Sequence, residues 1–403
     1  MQSLIGIVIA FALLAALIYL KVDFGKAILI ATIPLFLLSE PSVEGLRWIE
    51  EITFEYDTLS LIAIIVQIAL LGYLYKDSDQ VIRMIEELKA AVPDRRMVVA
   101  SIPALFGLMP MPGGALVSAP MIEDEGDALD LDGIEKTFLN WWWRHIWFTV
   151  YPLSAGLILA ARLSGVSIYR IGLFNLPIFA TQIVIGVFFG LKKIDVKNSS
   201  SSKANPFLIF YELLPIIVAL SLNIILGIPL YITLFLAIIM IFLQNFENYT
   251  VRSLPVTLKE GFSFDLLLAA YGIMLFKGII ERAESLEPVI VAIEGHVPLL
   301  VVVMVGSYFI GVLFGHLPGA IGVSFPVFIP MLPVVSVRTV SLMFVFVFMG
   351  YFTSPIHLCI ILTIEYFGID LKSFYRRMIK PFLILITAII LWLLISGSFF
   401  LFF

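Results

Sequence analysis

Long apolar runs limit what this chain can fold into more than any other feature of its sequence. Ten of them lie at about residues 4–20, 25–39, 58–75, 138–161, 171–191, 207–226, 230–243, 262–280, 340–367 and 381–402. They approach or exceed the roughly 20 residues that carry a helix across a bilayer core. Inside lipid no water is available to the peptide groups, so each run must satisfy its backbone internally, which a helix does. The expected fold is therefore all-α and integral to a membrane. Composition agrees, with 61% of the 403 residues apolar and 14% charged, where soluble domains carry roughly a quarter charged. Two further apolar stretches, 97–122 and 297–335, are interrupted by Pro-Gly clusters that stop a continuous helix, and they read as re-entrant hairpins.

Lys and Arg number 25 against 30 Asp and Glu, too few and too balanced for a nucleic-acid footprint, so nucleic acid is excluded as a partner. A single cysteine, Cys359, excludes an intramolecular disulfide, and four scattered histidines give no metal cluster. The first run lacks a basic segment before it, because Lys21 and Lys26 follow it, and so reads as a retained span rather than a cleaved signal. With both termini outside, 18 Lys and Arg fall in inside loops and five fall outside, as the positive-inside rule requires. The expected location is the cytoplasmic (inner) membrane. Trp141, Trp142 and Trp143 read as an interfacial belt, with Arg144 and His145 snorkelling beside them. Lys277 and Glu281 have the i,i+4 spacing of a structural ion pair.

The segment Pro112-Gly113-Gly114-Ala115-Leu116-Val117-Ser118-Ala119-Pro120 recurs as Pro318-Gly319-Ala320-Ile321-Gly322-Val323-Ser324-Phe325-Pro326, an offset of 206 residues. Downstream, Phe148-Thr149 and Pro152 recur as Phe352-Thr353 and Pro355, Gly165 as Gly368, and Tyr169-Arg170 as Tyr375-Arg376. The chain therefore reads as a first repeat over 1–191, a polar linker over 192–206 and a second repeat over 207–403. Each holds five spans and one hairpin. Five is odd, so the second copy enters the membrane from the opposite face, an inverted-topology repeat whose hairpins open one inward and one outward.

The segments Gly107-Leu108-Met109-Pro110-Met111-Pro112-Gly113-Gly114-Ala115, Gly315-His316-Leu317-Pro318-Gly319-Ala320 and Phe352-Thr353-Ser354-Pro355 resemble a prokaryotic integral-membrane family catalogued as domain of unknown function four hundred and one. More distantly, the two-hairpin repeat resembles the ion transporter superfamily of gluconate permeases and dicarboxylate carriers. The Ser-Asn-Thr signature of its sodium-dicarboxylate members is absent. That resemblance implies an elevator-type transporter. The uniformly apolar spans over 4–39 and 207–243 suit a scaffold and a homodimer interface.

A helix that begins within the membrane presents free N–H groups and the positive end of its dipole, which suits an anion. Pro112, Gly113, Gly114, Pro318, Gly319 and Ala320 would open such helices, with Ser118 and Ser324 adding hydroxyls one turn on. His316 and His357 flank the second Pro-Gly segment and Pro355, and could donate to an anion or carry a proton. Pro152 and Pro355 each free a carbonyl, and together with Thr149, Tyr151, Thr353 and Ser354 they offer hard oxygen ligands for a coupling Na⁺. No other cofactor is expected. On this account bulky side chains at Gly113 or Gly319 abolish binding, whereas changes at Gly6 or Gly186 are mild.

The functional expectation is secondary active transport of a small organic anion, a carboxylate, coupled to Na⁺ or H⁺. The alternatives are a Na⁺/H⁺ or other cation antiporter, an intramembrane enzyme or a channel. Neither an H-E-x-x-H pair nor a G-x-S-x-G elbow is present, so no catalysis is expected.

Overall fold

Every regular element is helical among the residues that the computed structural model describes, namely 2–109, 114–196, 205–249, 254–283, 286, 298–332 and 334–396. The first half runs α1 (Gln2–Tyr19), α2 (Phe24–Ser39), α3 (Val43–Phe54), α4 (Tyr56–Asp77), α5 (Gln80–Ala91) and α6 (Arg95–Leu108). It continues with α7 (Gly114–Asp127), α8 (Gly133–His145), α9 (Ala155–Ser164), α10 (Ile168–Phe174) and α11 (Leu176–Gly186). The second half runs α12 (Pro206–Leu226), α13 (Leu230–Gln244), α14 (Leu254–Gly261), α15 (Phe264–Arg282) and α16 (Leu299–Phe314). It ends with α17 (Leu317–Phe328), α18 (Val337–Thr353), α19 (Leu358–Tyr366) and α20 (Leu371–Ile395).

Four stretches are long and apolar enough to cross a bilayer: Tyr56–Asp77, Phe207–Leu226, Val337–Tyr366 and Leu371–Ile395. Counting each of two bent helix pairs as one span, α9 with α10 at 115° and α14 with α15 at 47°, raises the number to six. α1, α2, α11, α13, α16 and α17 are shorter apolar helices. The chain is thus a multi-pass membrane protein.

Local chemistry explains where the helices begin and end. α8 opens on a capping box, with Asp132 accepting from the Glu135 N–H and Glu135 accepting from the Asp132 N–H. α18 opens the same way on Ser336 and Thr339. Gly165 and Gly368 follow α9 and α19 in the left-handed conformation, at φ +70° and +65°, where a side chain is strained. Residues 138–161 do not form one helix. α8 stops at His145, a 3₁₀ turn covers Ile146–Thr149, and the chain passes through Pro152 before α9 begins. Lys277 and Glu281 do pair, at 3.7 Å.

Two segments that hydropathy leaves as loops are amphipathic helices. α3 is capped by Ser42, whose Oγ accepts from the N–H groups of Glu44 and Gly45 at 3.1 and 3.3 Å. α5 buries Val81, Met84 and Ile85, an i, i+3, i+4 stripe, and packs on α4, α6 and α12.

Packing joins the halves in reciprocal pairs. α2 packs on α15 and α13 on α4; α7 packs on α19 and α17 on α9; α8 packs on α20 and α18 on α10. A polar clamp ties α5 to α12 and α13. Glu212, 1% exposed, accepts from Gln80 Nε2 and Arg83 Nε, both at 2.6 Å, while Arg83 also donates to Asn245 Oδ1 at 3.0 Å.

The tryptophan triplet lies in the core, contrary to its reading as an interfacial belt. Trp141 and Trp142 are fully buried, and Trp141 stacks on Phe352 of α18 at 4.0 Å between ring centres. Indole needs an interface only if its N–H needs water. Here Trp142 Nε1 donates to the Gln182 carbonyl at 2.9 Å, so the ring can be buried.

Candidate functional site

A cavity of about 340 Å³ lies where both chain breaks meet the two long helices α4 and α15. Its volume sits at the small end of ligand pockets. Gly107, Leu108 and Met109, which lead into the first Pro-Gly segment, line it together with Gly315, His316 and Pro318 of the second. Tyr151 and Ser154 come from the break around Pro152, and His357 from the break around Pro355. Ile65, Ile68 and Ala69 of α4 and Ala269, Ala270 and Ile273 of α15 supply an apolar wall.

Arg144 is the one charged side chain in this lining among the described residues, and no carboxylate accompanies it there. It is 5% exposed, so it does not snorkel. Its guanidinium lies over the start of α7, because a Cβ placed on Gly114 would collide with both of its terminal nitrogens. It also hydrogen-bonds the thiol of Cys359. Gly107 lets α6 approach the Arg144 backbone, since a Cβ there would run into the Arg144 carbonyl.

Around Arg144 the two halves touch directly. His145 Nδ1 donates to the Trp141 carbonyl at 2.6 Å, which leaves Nε2 to accept from Tyr351 Oη at 3.1 Å. His357 is 1% exposed and its ring centre lies 4.0 Å from that of Tyr351, yet neither ring nitrogen meets hydrogen-bond geometry with a partner among the described residues. The nitrogens of His145 and His357 and the sulfur of Cys359 lie within 4.8 Å of one another. That set could hold a soft metal ion by its donors, but the Arg144 guanidinium on Cys359 opposes a cation there.

Of the residues singled out from sequence, the cavity gathers Tyr151, His316, Pro318 and His357. Pro112 and Gly113 lie outside the described residues. Gly114 abuts the site through Arg144. Ser118 is turned inward, bonding the Gly114 carbonyl at 3.0 Å and Asn140 at 2.6 Å. Ser324 is buried with no partner for its hydroxyl, and neither it nor Ala320 lines the cavity. The space beside Gly319 is filled: a Cβ would sit 2.9 Å from Phe24 and 3.0 Å from His316 Nδ1. The Gly319 N–H already donates to that nitrogen at 3.2 Å, so His316 caps α17 and its Nδ1 carries no proton. The positive end of the second hairpin helix is thus covered by imidazole. Gly186 is also no neutral position, since a Cβ there would lie 2.9 Å from the Trp142 and Trp143 rings.

The residues expected to bind a coupling ion face away from the cavity, apart from Tyr151. The Thr149 carbonyl accepts from Asn175 Nδ2 at 3.0 Å, and the Thr353 carbonyl accepts from Tyr375 Oη at 2.9 Å. The Thr149 hydroxyl reaches Gln182 at 3.4 Å, the Thr353 hydroxyl bonds Met349 and Tyr308, and Ser354 Oγ donates to the Val312 carbonyl at 2.6 Å.

Arg144, Tyr351 and Cys359 were not singled out as site residues by their sequence. The signal for Arg144 was present, because an ionisable residue within an apolar run is costly unless it serves a purpose. No match to a curated protein was found. The model of a protein family described as "protein of unknown function (DUF401)" matches residues 2–397, nearly the whole chain, and the protein belongs to that family.

Proposed function

We propose that this protein is a secondary active transporter of a small organic anion, a carboxylate, driven by a Na⁺ or H⁺ gradient through alternating access. One observation carries the proposal: a cavity lined from both halves of the chain contains a buried arginine and, among the described residues, no acidic side chain. A guanidinium held away from water attracts a carboxylate far more strongly than one on a surface, and its fork matches the two oxygens.

The architecture that goes with it is ten spans and two re-entrant hairpins in an inverted repeat, with both termini outside in the cytoplasmic membrane, assembled as a homodimer. Three features support the repeat: the reciprocal helix pairs, the capping boxes at Asp132 and Ser336, and the left-handed glycines at 165 and 368. Elevator-like sliding of the hairpin helices against α1, α2, α12 and α13 follows by analogy with the ion transporter superfamily. For the coupling ion, the break carbonyls retain a second lone pair each, and Tyr151 faces the cavity.

Purified protein in proteoliposomes tests the proposal. Labelled carboxylates should accumulate when an inward Na⁺ or H⁺ gradient is imposed and should equilibrate only slowly without one. Accumulation of no carboxylate under either gradient, or flux of cations alone, would contradict it.

A further inference from the structure

Resting on the transporter proposal, we infer that the substrate is an amphipathic monocarboxylate, a single carboxylate on an apolar body, rather than a dicarboxylate or a polyhydroxylated acid. The cavity has two unlike walls. One carries Arg144, His357, Tyr351 and Cys359; the other, from α4 and α15, presents Ile, Leu and Ala side chains.

The charged wall has capacity for one carboxylate. The repeat matches on either side, Asp132 with Ser336 and Phe148 with Phe352, are 204 residues apart and place the buried Phe348 at the position of Arg144, so the second repeat contributes no matching cation. Arg144 serves one carboxylate oxygen or both, and His357, buried with neither ring nitrogen in hydrogen-bond geometry among the described residues, supplies the N–H for a second contact. These groups belong to one cluster, since Arg144 hydrogen-bonds Cys359 and the Cys359 sulfur lies within 4.8 Å of the His357 nitrogen.

The opposite wall then decides between acids. A second carboxylate placed against Ile65, Ile68, Ala69, Ala270 and Ile273 would lose its hydration and gain no cation, and sugar hydroxyls would lose theirs for few partners. A hydrocarbon body gains there, by about fourfold in affinity for each methylene buried.

Binding to purified protein in nanodiscs, followed by calorimetry, tests the inference with acetate, butyrate, hexanoate, succinate, gluconate and hexanamide as probes. Affinity should rise about fourfold per methylene from acetate towards hexanoate. Succinate and gluconate should bind more weakly than butyrate, and hexanamide about 100-fold more weakly than hexanoate because it lacks the charge. Arg144→Gln should lower hexanoate affinity about 100-fold. Should that variant fail to fold, Ala270→Phe, which fills the apolar wall, should weaken hexanoate much more than acetate. Tighter binding of succinate or gluconate than of hexanoate, still dependent on Arg144, would overturn the substrate class while leaving anion transport standing. Hexanamide binding as tightly as hexanoate, or Ala270→Phe weakening acetate and hexanoate alike, would overturn it too. Absence of Arg144-dependent binding by any anion would overturn both proposals.

Discussion

At the scale of single residues, the site is organised by one arginine and the glycine beneath it. Gly114 leaves its space to the Arg144 guanidinium, so a methyl there displaces the flexible end of a side chain rather than backbone. Gly114→Ala should therefore fold with a nearly unchanged unfolding temperature and bind anion at least about tenfold more weakly, as titration of the purified variant will check. Gly186→Ala should do the opposite, lowering the unfolding temperature because two tryptophan rings leave no room for the methyl. The break before α17 at Pro318-Gly319 was legible in the sequence, and so were His316 and His357 as candidates beside the breaks. Arg144 was not, because three tryptophans before it resemble a membrane interface. Trp142 is satisfied in the core by the Gln182 carbonyl, and an acceptor 40 residues away leaves no mark in a local pattern.

At the scale of elements, each proline break is held by a donor from further along the chain. Asn175 serves the Thr149 carbonyl and Tyr375 serves the Thr353 carbonyl. Tyr375→Phe should cost about 1 kcal/mol and Asn175→Ala, at a fully buried position, about 2 kcal/mol, measured by reversible unfolding in mixed detergent. The freeing of carbonyls by Pro152 and Pro355 could be read from sequence, but their partners could not. α5 was hidden for another reason. Its apolar stripe is too narrow to register as a span, and its charges look like a loop until Arg83 is seen to meet Glu212. Glu212→Ala takes one acceptor from each of Arg83 and Gln80, which keep Asn245 and Gln244, and should destabilise the protein by about 2 kcal/mol in the same assay.

At the scale of the whole molecule, reciprocal packing places the breaks of both halves around one cavity while α4 and α15 close it from the side. Length explains why ten apolar runs become only four to six helices that meet a spanning criterion. α2, with 16 residues, is about 24 Å long, short of a 30 Å core, and the 138–161 run is divided at its proline. If the hairpin helices slide against the scaffold and α15, packed on α2, stays with that scaffold, a disulfide between cysteines at 273 and 322 should stop uptake and reduction should restore it. Gly322 faces Ile273 closely enough for that bond. The pair belongs in a Cys359→Ser background first shown to transport, and unchanged uptake by the oxidised pair would rule the sliding out.

The central claim, an anion held at Arg144 inside the shared cavity, is tested most directly by the anomalous scattering of a brominated short-chain carboxylate in crystals of the protein. The account predicts bromine density between α4 and α15 with the carboxylate against Arg144 and His357, and its disappearance in Arg144→Gln crystals of the same form. Bromine density absent from the cavity at saturating acid, or a cation found beside Arg144 in its place, would contradict it.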